Sequence, residues 1–177
     1  MFREVDYKIL KINPMTMFGE DWALAGAGTK ERGYNAMTIA WGHLGAIWDR
    51  PTKQGKLIIP TAEVYIRPQR YTKEFFDKEN YFTISTFPAQ YKKALGYMGT
   101  HSGREEDKIA AAGLTPIFVE NSVAFEEAER IFVCKKIYHA PILESGFVEK
   151  QIIADNYPAK DFHEMYVGEI VEVLERE

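Results

Sequence analysis

Two arginines and a threonine fall within the stretch Arg67-Pro68-Gln69-Arg70-Tyr71-Thr72, where an apolar run gives way to a helical one. Guanidinium groups bind phosphate oxygens in a two-pronged fork, and a helix start offers unpaired backbone N–H groups with partial positive charge. The segment therefore reads as a candidate anion cradle. Two solvated arginines flanking a turn would look the same, so the rest of the chain has to decide.

A second place of similar character is Gly99-Thr100-His101-Ser102-Gly103-Arg104. Its glycines permit close backbone approach and Arg104 brings a guanidinium. Ser102 and Glu105 stand at capping-box spacing, which predicts a helix over 102–113 with acids in its first turn and Gly113 as its stop. A capping box needs no ligand, and Arg104 has Glu106 and Asp107 nearby to pair with. A third segment, Asn35 to Trp41, offers an amide, a hydroxyl and a flat aromatic face in Asn35, Thr38 and Trp41, groups able to hydrogen-bond and shield a planar heterocycle. Period-two alternation puts Asn35, Met37, Ile39 and Trp41 on one strand face and Ala36, Thr38 and Ala40 on the other. One pocket cannot take all of them by side chain, and a core tryptophan after a turn asparagine fits the segment too.

The elements that must position these groups are mostly strands. Runs rich in β-branched, aromatic or small apolar residues occur at Trp22–Gly28, Asn35–Trp41, Leu57–Ile59, Ala62–Ile66, Tyr81–Thr86, Ile117–Val119, Ala128–Ile137 and Met165–Leu174. A turn near Gly33 makes the first two a hairpin. Pro51, Lys53, Gln54 and Gly55 predict a polar loop over 51–60. Helices are expected after Thr72, as its N-cap, and over Ala89–Tyr97, besides the one at Ser102. Many antiparallel-type strands with few helices indicate a mainly β fold, a barrel or sandwich with helical decoration, in one domain spanning 1–177.

Composition excludes several classes. The 177 residues are 46% hydrophobic and 27% charged, with a net charge of −4 and basic residues scattered among acids, which argues against a nucleic-acid surface. No apolar run approaches a bilayer span, and the first residues lack a signal peptide's apolar centre, so the expected compartment is the cytoplasm. The lone Cys134 sits in a strand-like run and reads as a buried, inert thiol. His43, His101, His139 and His163 are too dispersed to form a recognisable metal motif, and none is expected. There is no Gly-x-Ser-x-Gly elbow, no P-loop and no Gly-x-Gly-x-x-Gly fingerprint.

Taken in order, Asn35 to Gly42, Arg67 to Thr72, Tyr81 to Ser85, Ser102 to Lys108 and Met165 to Ile170 resemble the flavin reductase-like family, particularly its flavoredoxin-like branch, over roughly residues 15–175. The resemblance implies an FMN-binding split β-barrel, usually a homodimer with flavin at or near the subunit interface. It implies that Asn35, Thr38, Ala40 and Trp41 lie along the isoalloxazine and ribityl groups. Arg67, Arg70 and Thr72 would then hold the phosphate, with Ser85 and Thr86 bordering the same cleft. Ser102, Gly103, Arg104 and Lys108 belong to the matching Ser-Gly-Arg-x-x-Asp-Lys segment, which would approach flavin or an incoming nicotinamide nucleotide. His101, in the same loop, is the candidate for assisting at the flavin or nicotinamide face. The implied activity is hydride transfer from NADH or NADPH to flavin N5, with the cofactor carrying the chemistry. The alternatives are a flavoredoxin-like protein exchanging electrons with a redox partner, and a non-catalytic flavin-binding barrel. The 51–60 loop looks long for this branch and is expected to cap the site or change which partner enters.

Overall fold

The computed structural model describes residues 1–177. Ten strands alternate with short helices. The strands are β1 (Phe2–Glu4), β2 (Ala23–Thr29), β3 (Gly33–Ile39), β4 (Gly42–Thr52), β5 (Gly55–Ile66), β6 (Tyr81–Thr86), β7 (Pro116–Val119), β8 (Ser122–Phe125), β9 (Arg130–Pro141) and β10 (Glu164–Arg176). The α-helices are α1 (Pro14–Thr16), α2 (Thr72–Lys78), α3 (Lys92–Thr100), α4 (Lys108–Ala111) and α5 (Gln151–Asn156).

The main sheet runs β3-β2-β6-β9-β10-β5-β4, with β1 added beside β10 and β7–β8 forming a separate hairpin. Every pairing is antiparallel. β3 and β4 are the two edges of this path, yet only Ala40 and Trp41 separate them in the chain. Three Cα–Cα steps cover at most about 11 Å, so the sheet must curl until its edges meet without pairing. The result is a split β-barrel, and Trp41 sits in its seam. Phe18 fills the seam from inside, because a Cβ on Gly42 would come within 2.5 Å of its ring.

Two cores follow from strand alternation. Met37, Ile39, Val64, Ile66, Phe82, Ile84, Phe132 and Tyr166 point into the barrel, where Phe76 of α2 closes one end against Phe82 and Tyr166. The residues between them, Ala36, Ile131 and Val133, face outward under Leu95 and Met98 of α3, Ile109 of α4 and Val123 and Phe125 of β8. The small residues of β2 allow this layer to close in, since a Cβ on Gly26 would lie 2.8 Å from the Val123 carbonyl oxygen. Cys134 is fully buried in the barrel, which pushes its thiol far above the ordinary range and leaves it inert.

Five local expectations need correction. The expected 51–60 loop is the end of a long hairpin in which β4 and β5 stay paired to Thr52 and Gly55. Leu57–Ile59 and Ala62–Ile66 are one strand, β5. The helix predicted from Ser102 begins at Lys108, where the Asp107 carboxylate accepts from the Ala110 N–H at 3.1 Å, while Ser102 only closes a turn onto the Arg104 N–H. Thr72 is the first helical residue and caps nothing, because its hydroxyl is taken up by Asn35. The helix expected over Ala89–Tyr97 divides into a 3-10 turn, Ala89–Tyr91, and α3.

Candidate functional site

The start of α2, the end of α3 and the 100–108 segment enclose a cleft of about 170 Å³ lined by Asn35, Arg70, Thr72, His101, Ser102, Gly103 and Lys108, with Gln69, Tyr71 and Thr100 at its rim. A wider groove of about 480 Å³ adjoins it and shares Asn35, Tyr71, Gly103 and Lys108. Both cations of the cleft are moored to the last turn of α3. Arg70 Nη1 donates to the Gly99 carbonyl at 2.9 Å and Lys108 Nζ to the Met98 carbonyl at 2.9 Å. A helix C-terminus carries partial negative charge and unpaired carbonyls, which suits cations there. Neither cation has a carboxylate partner within 4.0 Å, whereas the neighbouring Arg67, Lys73 and Arg104 all do.

Lys108 is only 3% exposed. Burial, followed by the like charge of Arg70, brings its ammonium down to about 8 in spite of Glu106. Burial also lowers Arg70. Two desolvated cations without an anion are an unfavourable arrangement unless a negative group enters the cleft.

The hydroxyl of Thr72 and the carboxamide of Asn35 form the back wall, with Asn35 Nδ2 donating to Thr72 Oγ1 at 3.0 Å. Gly103 closes over this pair, since a Cβ there would stand 2.8 Å from Asn35 Oδ1. His101 lies exposed at the rim, its ring stacked on Tyr97 at 3.7 Å and its Nδ1 within reach of the Tyr97 carbonyl and the Thr100 hydroxyl. Arg104 turns outward to Glu74 at 2.5 Å, with its guanidinium over the Tyr71 ring.

Other expected site residues lie elsewhere. Arg67 does not line the cleft; it donates to Asp161 at 2.5 Å and to the Asn156 carbonyl at 2.8 Å, beside the Tyr157 ring. Thr38 faces the outer layer and donates to the Leu95 carbonyl at 2.5 Å. Ser85 and Thr86 are buried in β6 with hydroxyls that have no partner, and neither lines the cleft. Ala40 and Trp41 form the seam joint, where Trp41 is 44% exposed and its ring centroid lies 4.8 Å from that of His163.

The family of flavin reductase-like domains matches this chain over residues 57–177. The chain belongs to that family. The matched span begins at β5, so Asn35, Thr38 and Trp41 lie outside it, whereas Arg70, Thr72 and Lys108 lie within it. Among solved structures, the flavoredoxin of Desulfovibrio vulgaris is 25% identical, covering 88% of this chain and 69% of its own, with a TM-score of 0.63. A Thermus thermophilus FMN-binding protein with bound p-hydroxybenzaldehyde is 21% identical over 99% of this chain and 82% of its own, with a TM-score of 0.65. A Methanosarcina acetivorans flavoredoxin is 20% identical over 95% and 75%, with a TM-score of 0.64. No curated protein matches the sequence.

Two further clusters in this flavin reductase-like domain escaped the sequence reading. Around Trp41 and Arg67, the Tyr157 hydroxyl meets His163 Nδ1 at 2.9 Å, and burial, followed by the Arg67 charge, takes the His163 imidazole down to about 4. No local motif marks this group; its members come from β3–β4, β5 and the segment before β10. On the opposite end of α2, Asp77, His139 and Glu164 have donor atoms within 4.8 Å of one another. Lys73 already bridges Asp77 at 2.8 Å and Glu164 at 3.0 Å, and Tyr166 donates to Asp77 at 2.6 Å. The Lys73 ammonium therefore already occupies both carboxylates of the cluster.

Proposed function

We propose that this chain is an FMN-binding oxidoreductase that draws electrons from NADH or NADPH and works as a homodimer. The observation that carries the FMN reading is the pairing of Arg70 and Lys108 in one cleft without a carboxylate. A phosphate monoester fits that chemistry: it is anionic, it accepts hydrogen bonds only, and it can take donors from both cations and a hydroxyl at once. The cleft of about 170 Å³ holds a phosphoryl group but not a three-ring heterocycle. Arg70, Lys108 and Thr72 would hold the phosphate, and Ser102 and Gly103 would flank it.

Bound FMN would supply hydride acceptance and onward electron transfer. The chain's own residues position and shield: the Met98 and Gly99 carbonyls fix the two cations, and Gly103 lets the loop close over the back wall. His101, stacked on Tyr97 and exposed, would be the side chain that meets an incoming nicotinamide.

Titration of FMN into the purified protein, followed by anaerobic mixing with NADH and with NADPH, tests the reading. The expected result is a change in flavin fluorescence on binding and bleaching of flavin absorbance with one of the donors. No fluorescence change would overturn the FMN assignment. Binding without bleaching by either donor would move the chain to the electron-transfer reading, which the likeness to two flavoredoxins supports.

A further inference from the structure

Thr72 is 1% exposed and Asn35 3%, and they meet only through the Asn35 Nδ2 to Thr72 Oγ1 bond of 3.0 Å. A hydroxyl has one hydrogen and two acceptor sites. Because Thr72 accepts from the amide, its own hydrogen stays available, and no protein acceptor lies within hydrogen-bond distance to take it. As the first residue of α2, Thr72 has no preceding helical turn whose carbonyl could take that hydrogen, and it lines the same cleft as Arg70 and Lys108. Gly103 presses on the Oδ1 side of the Asn35 carboxamide, which leaves the amide nitrogen facing Thr72.

We propose that Asn35 is a positioning residue that fixes the Thr72 hydroxyl as a hydrogen-bond donor, and so makes the cleft select a terminal phosphate over a terminal hydroxyl. This inference rests on the phosphate reading of the cleft given above. It replaces the expected contact of Asn35 with the flavin ring or its ribityl chain by a role acting through Thr72. An aspartate at position 35 would accept a hydrogen bond from the threonine hydroxyl, turn the donor away from the cleft and add a repelling negative charge.

The test is titration of FMN and of riboflavin into wild type, Asn35→Asp, Asn35→Ala, Thr72→Val, Thr72→Ser and the Asn35→Ala/Thr72→Val double variant, read by flavin fluorescence. Asn35→Asp and Thr72→Val are each expected to lower the FMN-to-riboflavin affinity ratio about tenfold or more, the worth of one charge-assisted hydrogen bond, with riboflavin affinity unchanged. Thr72→Ser is expected to keep the ratio. The double variant is expected to be no worse than Thr72→Val alone, since both changes remove one donor. A wild-type preference for FMN that survives Asn35→Asp, or losses that add in the double variant, would overturn the role of Asn35 alone. Equal wild-type affinity for the two flavins would overturn the phosphate reading and this inference together. If Asn35→Asp does not fold, the double-variant comparison decides by the same criterion.

Discussion

Arg70 and Lys108 hold adjacent carbonyl oxygens at one helix end, those of Gly99 and Met98, and share no carboxylate. The arrangement keeps two positive charges close and poorly solvated, so it stores a cost that an anion would relieve.

That cost depends on pH. The folded-state value of Lys108, about 8, lies below its ordinary 10.5, so the unfolded chain binds more protons between these values. The buried charge therefore lowers stability below about pH 8, and stability recovers as pH rises toward 10.5. Arg70 stays charged throughout, Glu106 opposes the shift, and His101 stands at the rim. Inorganic phosphate is expected to raise the melting temperature at pH 7.5 and to do so much less at pH 9.5. Lys108→Met should bring the response at pH 7.5 down to the small one expected at pH 9.5. A phosphate effect of equal size in Lys108→Met would refute the assignment.

Arg67 and Arg70 looked interchangeable as phosphate ligands, and the structure separates them. Arg70→Ala is expected to weaken FMN by about 10- to 100-fold while leaving riboflavin nearly unaffected, as the loss of a charge-assisted hydrogen bond predicts. Arg67→Ala should leave the FMN-to-riboflavin ratio unchanged and lower the melting temperature instead. It strips Asp161 of the guanidinium that holds its carboxyl below the usual range, and Asp161 Oδ1 is already buried without a partner. Parallel flavin titrations and thermal melts of the two variants distinguish these outcomes.

This contrast shows where the sequence stops being legible. The barrel strands β2, β6, β9 and β10 were readable because burial on one or both faces imprints small or alternating apolar residues on them. β4 was not, since an exposed edge strand with Gly42, Gly45, Asp49, Arg50 and Pro51 needs no such pattern. The site segments at Arg67–Thr72 and Ser102–Lys108 were visible and do converge. Which arginine serves the cleft was not, because the deciding partner of Arg67 lies 94 positions away. The helix start was misplaced for a related reason: Ser102 and Glu105 have capping-box spacing, but Asp107 caps the helix, where Lys108 is anchored to the Met98 carbonyl and Ile109 is buried.

His163 gives a second pH signature with a different window. Its folded value of about 4 lies below the ordinary 6.5, so the unfolded chain binds the extra proton between them and stability falls as pH drops from about 6.5 to about 4. After allowance for partial solvent screening the loss is roughly 2 kcal/mol. Lowered carboxylates such as Glu79, Asp77 and Glu164 add acid sensitivity of the same sign, but below about pH 4.5. Chemical denaturation of wild type and His163→Gln at pH 7, 5.5 and 4.5 separates the two: the variant should lose most of the decline between pH 7 and 5.5. An unchanged slope in the variant would assign that acid sensitivity elsewhere.

Trp48 gives the exposed hairpin a test of the proposed homodimer. It sits in the bulge between Ala46 and Asp49 with φ of +67°, half exposed, its ring 5.9 Å from that of Tyr138. A left-handed conformation costs a large side chain about 1–2 kcal/mol that glycine does not incur. On the monomer, Trp48→Gly trades that strain against a partly buried ring. The same hairpin also exposes Ile47, Leu57 and Ile58, and β4 is an unpaired edge, a combination that soluble chains usually cover. If a second copy covers it, Trp48→Gly should leave the unfolding free energy of the dilute monomer within about 1 kcal/mol. It should also weaken self-association by about tenfold or more, since a buried interface tryptophan is commonly worth over 1 kcal/mol. Light scattering across a dilution series checks the second outcome and denaturation at the lowest concentration the first. A wild-type chain that stays monomeric across the series would remove the hairpin from any role in self-assembly.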